Sequence, residues 1–186
     1  MNLRIYGNRS LKTLPGQSTR PTSSRVREAL FNIWQERIEG CRWLDLCAGS
    51  GAMGAEALCR GADAVTGIEQ SSAACRAIDA NWRMVAAPEQ TVELLKGDVV
   101  KQITHMRSRS FDRIYFDPPY AAALYVPVLK TIARLNLLDV DGEMAVEHNR
   151  DFWQAQPVVG LIIVRQKHYG YTSLTFYQRQ GEPPES

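Results

Sequence analysis

The stretch Leu44–Leu58, LDLCAGSGAMGAEAL, decides the fold, because a short apolar strand (RWLDLCA) runs through glycines straight into a helix (GAMGAEALCRG). Gly49, Gly51 and Gly54 form a G-x-G-x-x-G array at that junction, where the backbone must turn sharply and pass close to a ligand. Outward from it the chain keeps alternating. AVTGIE predicts a strand, SSAACRAIDANWRMV a helix, and TVELLKGD a strand followed by a short helix to about Met106. FDRIYFD then predicts a strand, LYVPVLKTIARL a helix despite Pro127, and GEMAVEH a strand. LIIVRQKHYG and TSLTFYQR follow as two strands with no helix between them. Apolar strands alternating with helices imply a parallel sheet covered on both faces, and a final hairpin adds an antiparallel edge. The expected fold is α/β: a doubly wound Rossmann-like sandwich with a mostly parallel seven-stranded sheet and a short basic N-terminal extension.

Ligands of such sheets bind beyond the carboxyl ends of the strands, where the strand order reverses. Asp45 to Gly51, Glu69, Asp98 and Asp117 all fall at or just after predicted strand ends, so four stretches aim at one rim. The glycine array alone would also suit a nicotinamide dinucleotide, with Glu69 reaching a ribose diol. Charge separates the two cofactors: a pyrophosphate would be repelled by Asp45 beneath the loop, whereas S-adenosylmethionine carries a sulfonium and an ammonium and no phosphate. Asp45 therefore reads as a cofactor contact, direct or through water, or as an acid that caps the loop amides. Glu69 can accept both ribose hydroxyls, and Asp98 can accept from the adenine amino group; each can instead cap the helix that follows. Ala48, Ser50, Gln70 and Val99 complete the donor set as neighbours of these residues.

Asp117-Pro118-Pro119-Tyr120 follows the strand FDRIYF. An amine on a heteroaromatic base is a poor nucleophile because its lone pair is delocalised into the ring. The Asp117 carboxylate and a carbonyl such as that of Pro118 would each take one N–H and hold the nitrogen toward a methyl sulfonium. The prolines fix φ and remove N–H groups that would occupy those acceptors. Tyr120 offers a face on which a base swung out of its helix can stack. By itself the tetrapeptide is equally a strand-ending turn with an aromatic plug; joined to the upstream loop it points to methyl transfer.

The chain has 186 residues, 45% of them hydrophobic, and a formal net charge of +2. That length supports one good core. Residues 1–27 hold Arg4, Arg9, Lys12, Arg20, Arg25 and Arg27 without an acid, against 16 basic and 20 acidic residues in the remainder. A basic arm on a mildly acidic body suits a polyanion, and Leu3, Ile5, Tyr6, Leu11 and Leu14 within it favour an ordered flap over a tail. After the flap, Val26, Leu30, Ile33 and Trp34 predict a helix that runs to Gly40. The cysteines and histidines show no metal or disulfide framework, so no metal is expected. The longest apolar run, Val158–Val164, is far short of the ~20 residues of a membrane span. A soluble cytoplasmic protein is expected, with an extension over residues 1–40, a catalytic domain over 41–180 and a disordered tail at 181–186.

TRPTSSRVREALFN (Thr19–Asn32), LDLCAGSGAMGAEAL and FDRIYFDPPY together resemble the RsmD family of class I methyltransferases. The likeness runs from RIYGNRSLKTLPG to YGYTSLTFYQR. It implies methylation of the exocyclic N2 of a guanine in 16S ribosomal RNA, within a partly or fully assembled 30S subunit. Arg20, Pro21 and Thr22 would then lie near the reaction cavity, Asp45, Gly49, Gly51 and Glu69 would hold the donor, and Asp117, Pro118 and Tyr120 would present the base. Arg4, Arg9, Lys12 and Arg25 join Arg20 and Thr22 as expected RNA contacts. Cys47 departs from the family, which often has a bulky aromatic there, and YGNRSLKT replaces a run richer in glycine and arginine. Alternatives are an adenine N6 or cytosine N4 methyltransferase of DNA, a silent RNA-binding assembly factor, and a dehydrogenase.

Overall fold

The structure is a computed structural model that describes residues 2–12, 24–120 and 123–181. Its centre is a seven-stranded sheet. Strands β3 (Arg42–Leu46), β4 (Ala64–Glu69), β5 (Thr91–Lys96), β6 (Phe111–Phe116) and β7 (Leu138–Asn149) run parallel, and β8 (Leu161–Tyr169) and β9 (Thr172–Arg179) form the closing hairpin. The order is β5-β4-β3-β6-β7-β9-β8, so β9 pairs antiparallel with β7 and β8 becomes the outer edge. The sheet order reverses between β3 and β6. Those two strands are paired directly, with Leu46 opposite Phe116.

Helices cover both faces. On one face α1 (Ser24–Ile33), α2 (Ala52–Cys59) and α3 (Ser72–Val85) share a core with Trp43 and Tyr115; on the other, α4 (Val99–Thr104) and α5 (Tyr125–Arg134) pack on Leu44, Leu46, Ile114 and Phe116. Alternation along β3 therefore turns Asp45 toward the α2 face, with Trp43. Pro127 fits α5 because it sits in the first turn, where its missing N–H has no intrahelical partner anyway.

Residues 2–12 form a hairpin, β1 (Asn2–Ile5) and β2 (Arg9–Lys12), joined by a tight turn at Tyr6–Asn8. Ile5 and Leu11 are buried in the α1–α3 core, which docks the hairpin on the body. Asn81 of α3 completes the attachment: its Oδ1 accepts the Lys12 amide at 2.9 Å and its Nδ2 donates to the Lys12 carbonyl at 3.0 Å.

Three expectations are corrected. The helix expected to reach Gly40 ends at Ile33; Trp34 turns inward, and a short 3-10 turn, Gln35–Arg37, leads on toward Gly40. Trp34 is held there by edge contacts with Trp43 and Phe176 and by its Nε1, which donates to Glu143 Oε1 at 3.1 Å. Strand β7 begins at Leu138, before the expected GEMAVEH, because Leu138 already pairs with Phe111. Arg27 is no part of the basic surface: it is 3% exposed, pairs with Glu56 at 2.6 Å and donates to the Arg4 carbonyl at 2.7 Å.

Trp82 fills the space between α2, α3 and β4. A Cβ placed on Gly54 would lie 2.5 Å from its Cζ2, and one on Gly67 would lie 2.4 Å from its Cη2. Both glycines are therefore required by the indole. Gly67→Ala is expected to lower unfolding stability by about 2 kcal/mol, as overpacking does, read by urea denaturation; a loss below about 0.5 kcal/mol would show that the indole yields freely.

Candidate active site

The glycine array forms the turn between β3 and α2. Cys47, Gly49 and Gly51 all have positive φ, of 61°, 56° and 72°, which folds the backbone back on itself. The Ala48 amide donates to the Ile68 carbonyl at 2.9 Å and so ties the turn to β4. Trp82 supports it from below by donating from Nε1 to the Gly51 carbonyl at 2.8 Å. Helix α2 starts without a side-chain cap from its own N-terminal residue. Asp45, 1% exposed, supplies one from the strand by accepting the Gly54 amide on Oδ2 at 3.1 Å. Burial pushes the Asp45 carboxyl up to about 7; the Gly54 amide opposes the rise and the Glu69 carboxylate adds to it.

Glu69, half-buried at the end of β4, reaches across to the same turn. Its Oε2 accepts the Gly49 amide at 2.9 Å and its Oε1 the Ser71 amide at 2.8 Å. Gln70 beside it is exposed. Asp98, exposed after β5, caps α4 by accepting the Lys101 amide at 2.9 Å, while Val99 is buried in the α4–α5 core. Ala48 is buried, and Gly49 and Ser50 are half-buried. The capping alternatives for Asp45 and Asp98 are formed; α3 is capped by Ser71 instead of Glu69, whose carboxylate bridges the glycine turn and the Ser71 amide.

The four strand ends do converge. Burial pushes the Cys47 thiol up, and the carboxylates of Glu69, Asp117, Asp45 and Asp98 push it further, so all four acids act on one point at the tip of β3. The rim is a concentrated negative field, suited to a cationic ligand and hostile to a pyrophosphate.

Asp117, the first residue past β6, is half-buried; Pro118 is buried, Pro119 exposed and Tyr120 half-buried. The base of this turn is built from side chains the sequence did not single out. Tyr115 donates to Glu147 Oε2 at 2.5 Å, and Glu147 is itself 4% exposed. The Tyr125 ring stacks on Trp153 at 4.2 Å and 8° and meets His148 edge-on at 6.4 Å. Burial pushes the Tyr125 phenol up, and Asp117, Tyr120 and Glu147 raise it further. Burial also holds His148 neutral, its imidazole pushed down to about 4. Asn81 is the other residue missed: besides gripping Lys12, it reaches the Ser50 carbonyl at 3.5 Å and so links the hairpin to the glycine turn.

Of the expected RNA contacts, Arg4, Arg9, Lys12 and Arg25 are exposed, Arg9 donating to the Val85 carbonyl at 3.0 Å. Arg20 and Thr22, with Pro21, lie outside the described residues.

The chain matches the family model described as "Conserved hypothetical protein 95" over residues 3–178. It is 31% identical over 175 residues to "Putative rRNA methyltransferase YlbH" of Bacillus subtilis, covering 93% of this chain and 95% of that one. It is 29% identical over 191 residues to "Ribosomal RNA small subunit methyltransferase D" of Escherichia coli K12, covering 97% and 91%. Among solved structures, "Putative methyltransferase yhhF from Escherichia coli" superposes with a TM-score of 0.85 at 26% identity, over 98% of this chain and 100% of that one. With the glycine turn and the Asp-Pro-Pro-Tyr turn side by side at the sheet's reversal, the chain belongs to this family, that of the RsmD-type methyltransferases.

Proposed function

We propose that this protein transfers a methyl group from S-adenosylmethionine to the exocyclic N2 of a guanine in 16S ribosomal RNA of the small ribosomal subunit. The observation that carries the reading is the β3–β6 pairing: Leu46 and Phe116 stand opposite each other, so the glycine turn and Asp117 leave adjacent strands at the same height, about 5 Å apart. The names of the relatives supply the RNA, and the acidic rim suits the donor.

When bound, S-adenosylmethionine supplies an electrophilic methyl carbon on a sulfonium. Gly49, Ser50 and Gly51 let the backbone approach it, with Ala48 and Val99 as walls, while Asp45 and Glu69 offset its positive charge. Glu69 would exchange the Gly49 and Ser71 amides for the ribose hydroxyls, with Gln70 and Asp98 at the outer edge of the donor. Asp117 and the Pro118 carbonyl accept the two N–H bonds of the base amine and turn its lone pair toward the methyl carbon. Charge developing on the nitrogen is stabilised by the Asp117 carboxylate, and the proton leaves afterwards without a strong base. Pro119 stiffens the turn, and Tyr120 carries the base. The exposed cations Arg4, Arg9, Lys12 and Arg25 lie along the hairpin and first helix as phosphate contacts, with Arg20 and Thr22 on the connecting segment. In this reading residues 1–40 are the RNA-facing extension, 41–180 the catalytic domain and 181–186 a tail; the protein works in the cytoplasm on RNA in a partly or fully assembled 30S particle.

Labelled donor should mark free 16S RNA or 30S particles and leave duplex DNA unmarked; transfer to DNA alone would reject the reading. Asp117→Ala is expected to lower kcat by at least about 100-fold while calorimetric donor affinity stays within about twofold of the parent. Glu69→Ala should show the opposite split, with weakened donor binding, and the reverse pattern would overturn both roles.

Asp45 adds a pH signature. Below about 7 its carboxyl holds a proton that a cationic donor must expel, so donor affinity should rise several-fold between about pH 6 and pH 7.5. Asp45→Asn should flatten that rise, and an unchanged slope in the variant would show that another group titrates.

A further inference from the structure

Phe152, on the loop after β7, is 64% exposed, yet its backbone is closely held. Asn149 Oδ1 accepts the Asp151 amide at 2.8 Å, and the Asn149 carbonyl accepts the amides of Phe152 at 3.1 Å and Trp153 at 3.0 Å. Trp153 locks the turn through its stack on Tyr125 and through its carbonyl, 3.1 Å from His148 Nδ1. A single exposed apolar side chain is ordinary. What distinguishes this one is that a built turn presents it to Tyr120.

The two rings lie 23° from parallel with centroids 5.9 Å apart, against 4.2 Å and 8° for the closed Tyr125–Trp153 pair next to them. Carbon surfaces in contact lie about 3.5 Å apart, so a planar base between two rings needs their faces about 7 Å apart. Phe152 is 64% exposed, so its side-chain torsions can open the pair to that spacing. Two-sided stacking would also serve the chemistry. The lone pair of a base amine stands perpendicular to the ring, so fixing the plane of the base fixes the direction of attack, which Asp117 alone sets only about the N–H bonds.

We infer that Phe152 is the second wall of the nucleobase slot, facing Tyr120, and acts as a positioning residue for the base whose amine Asp117 holds. The inference rests on the proposed RNA methylation and extends it to a residue on a separate loop. The ligand is a planar nucleobase; a peptide aromatic of similar size would lack the amine that Asp117 and Pro118 are placed to accept.

The test uses the full chain, labelled donor and 16S RNA or 30S particles. Phe152→Ala should lower kcat/KM for RNA by about tenfold or more, the loss expected for one base–aromatic stack. Donor affinity and melting temperature should stay at parental values. Phe152→Trp should restore activity, and Phe152→Leu, which keeps apolar bulk without a ring face, should not. An alanine variant within twofold of the parent, or a leucine variant equal to it, would overturn the inference and leave the proposed function standing. A parent protein that methylates no RNA would remove both.

Discussion

The register between β3 and β6 is the constraint on which the rest of the molecule depends. Leu46 opposite Phe116 brings the ends of two strands level at the one place where the parallel sheet changes direction. At such a reversal the connections leave to opposite faces of the sheet, so loops from both sides can meet. A slip of β6 by one residue against β3 would turn Tyr115 to the other face. Tyr115 would lose Glu147, and Ile114 would leave the α4–α5 core.

Around that point the protein concentrates acids, from buried Asp45 through half-buried Glu69 and Asp117 to exposed Asp98. Asp45 is buried and accepts the Gly54 amide, and Asp98, Glu69 and Asp117 act with it on Cys47. Gathering like charges opposes folding, most of all at buried Asp45. The arrangement is therefore not one that stability alone would select, whereas a cationic ligand would relieve it. The aromatic base of the second turn is of the opposite kind. Tyr125, Trp153 and neutral His148 pack as an aromatic floor. Asn81 ties a third part, the basic hairpin, to the glycine turn, and an RNA bound along the hairpin would thereby lie beside the donor loop.

The sheet and both turns were legible because their signals are local. A short apolar run closing on glycine or an acid marks a strand end, and β3, β4 and β6 each carry that signature. What was misread depends on distant partners. Arg27 looks like a surface cation until Glu56 arrives from α2, and Trp34 continues a helical pattern until Trp43 and Glu143 draw it inward. The start of β7 hides in LLDVDGE, whose acids and glycine read as a loop although Leu138 already pairs with Phe111. At the site, the sequence offered both a capping and a ligand role for Asp45, Glu69 and Asp98; the geometry shows the caps of Asp45 and Asp98 formed, while Ser71 takes the cap expected of Glu69. Trp82, Asn81, Glu147 and Phe152 gave no local signal, since each acts through a contact made only once the sheet is assembled.

The most direct measurement is a crystal structure of the protein with the demethylated donor product and a guanosine-containing RNA fragment. The expected result places the guanine N2 within reach of both the Asp117 carboxylate and the Pro118 carbonyl, in line with the sulfur across the gap left by one methyl group. A sulfur bound away from the glycine turn, or Asp117 facing away from it, would contradict the account.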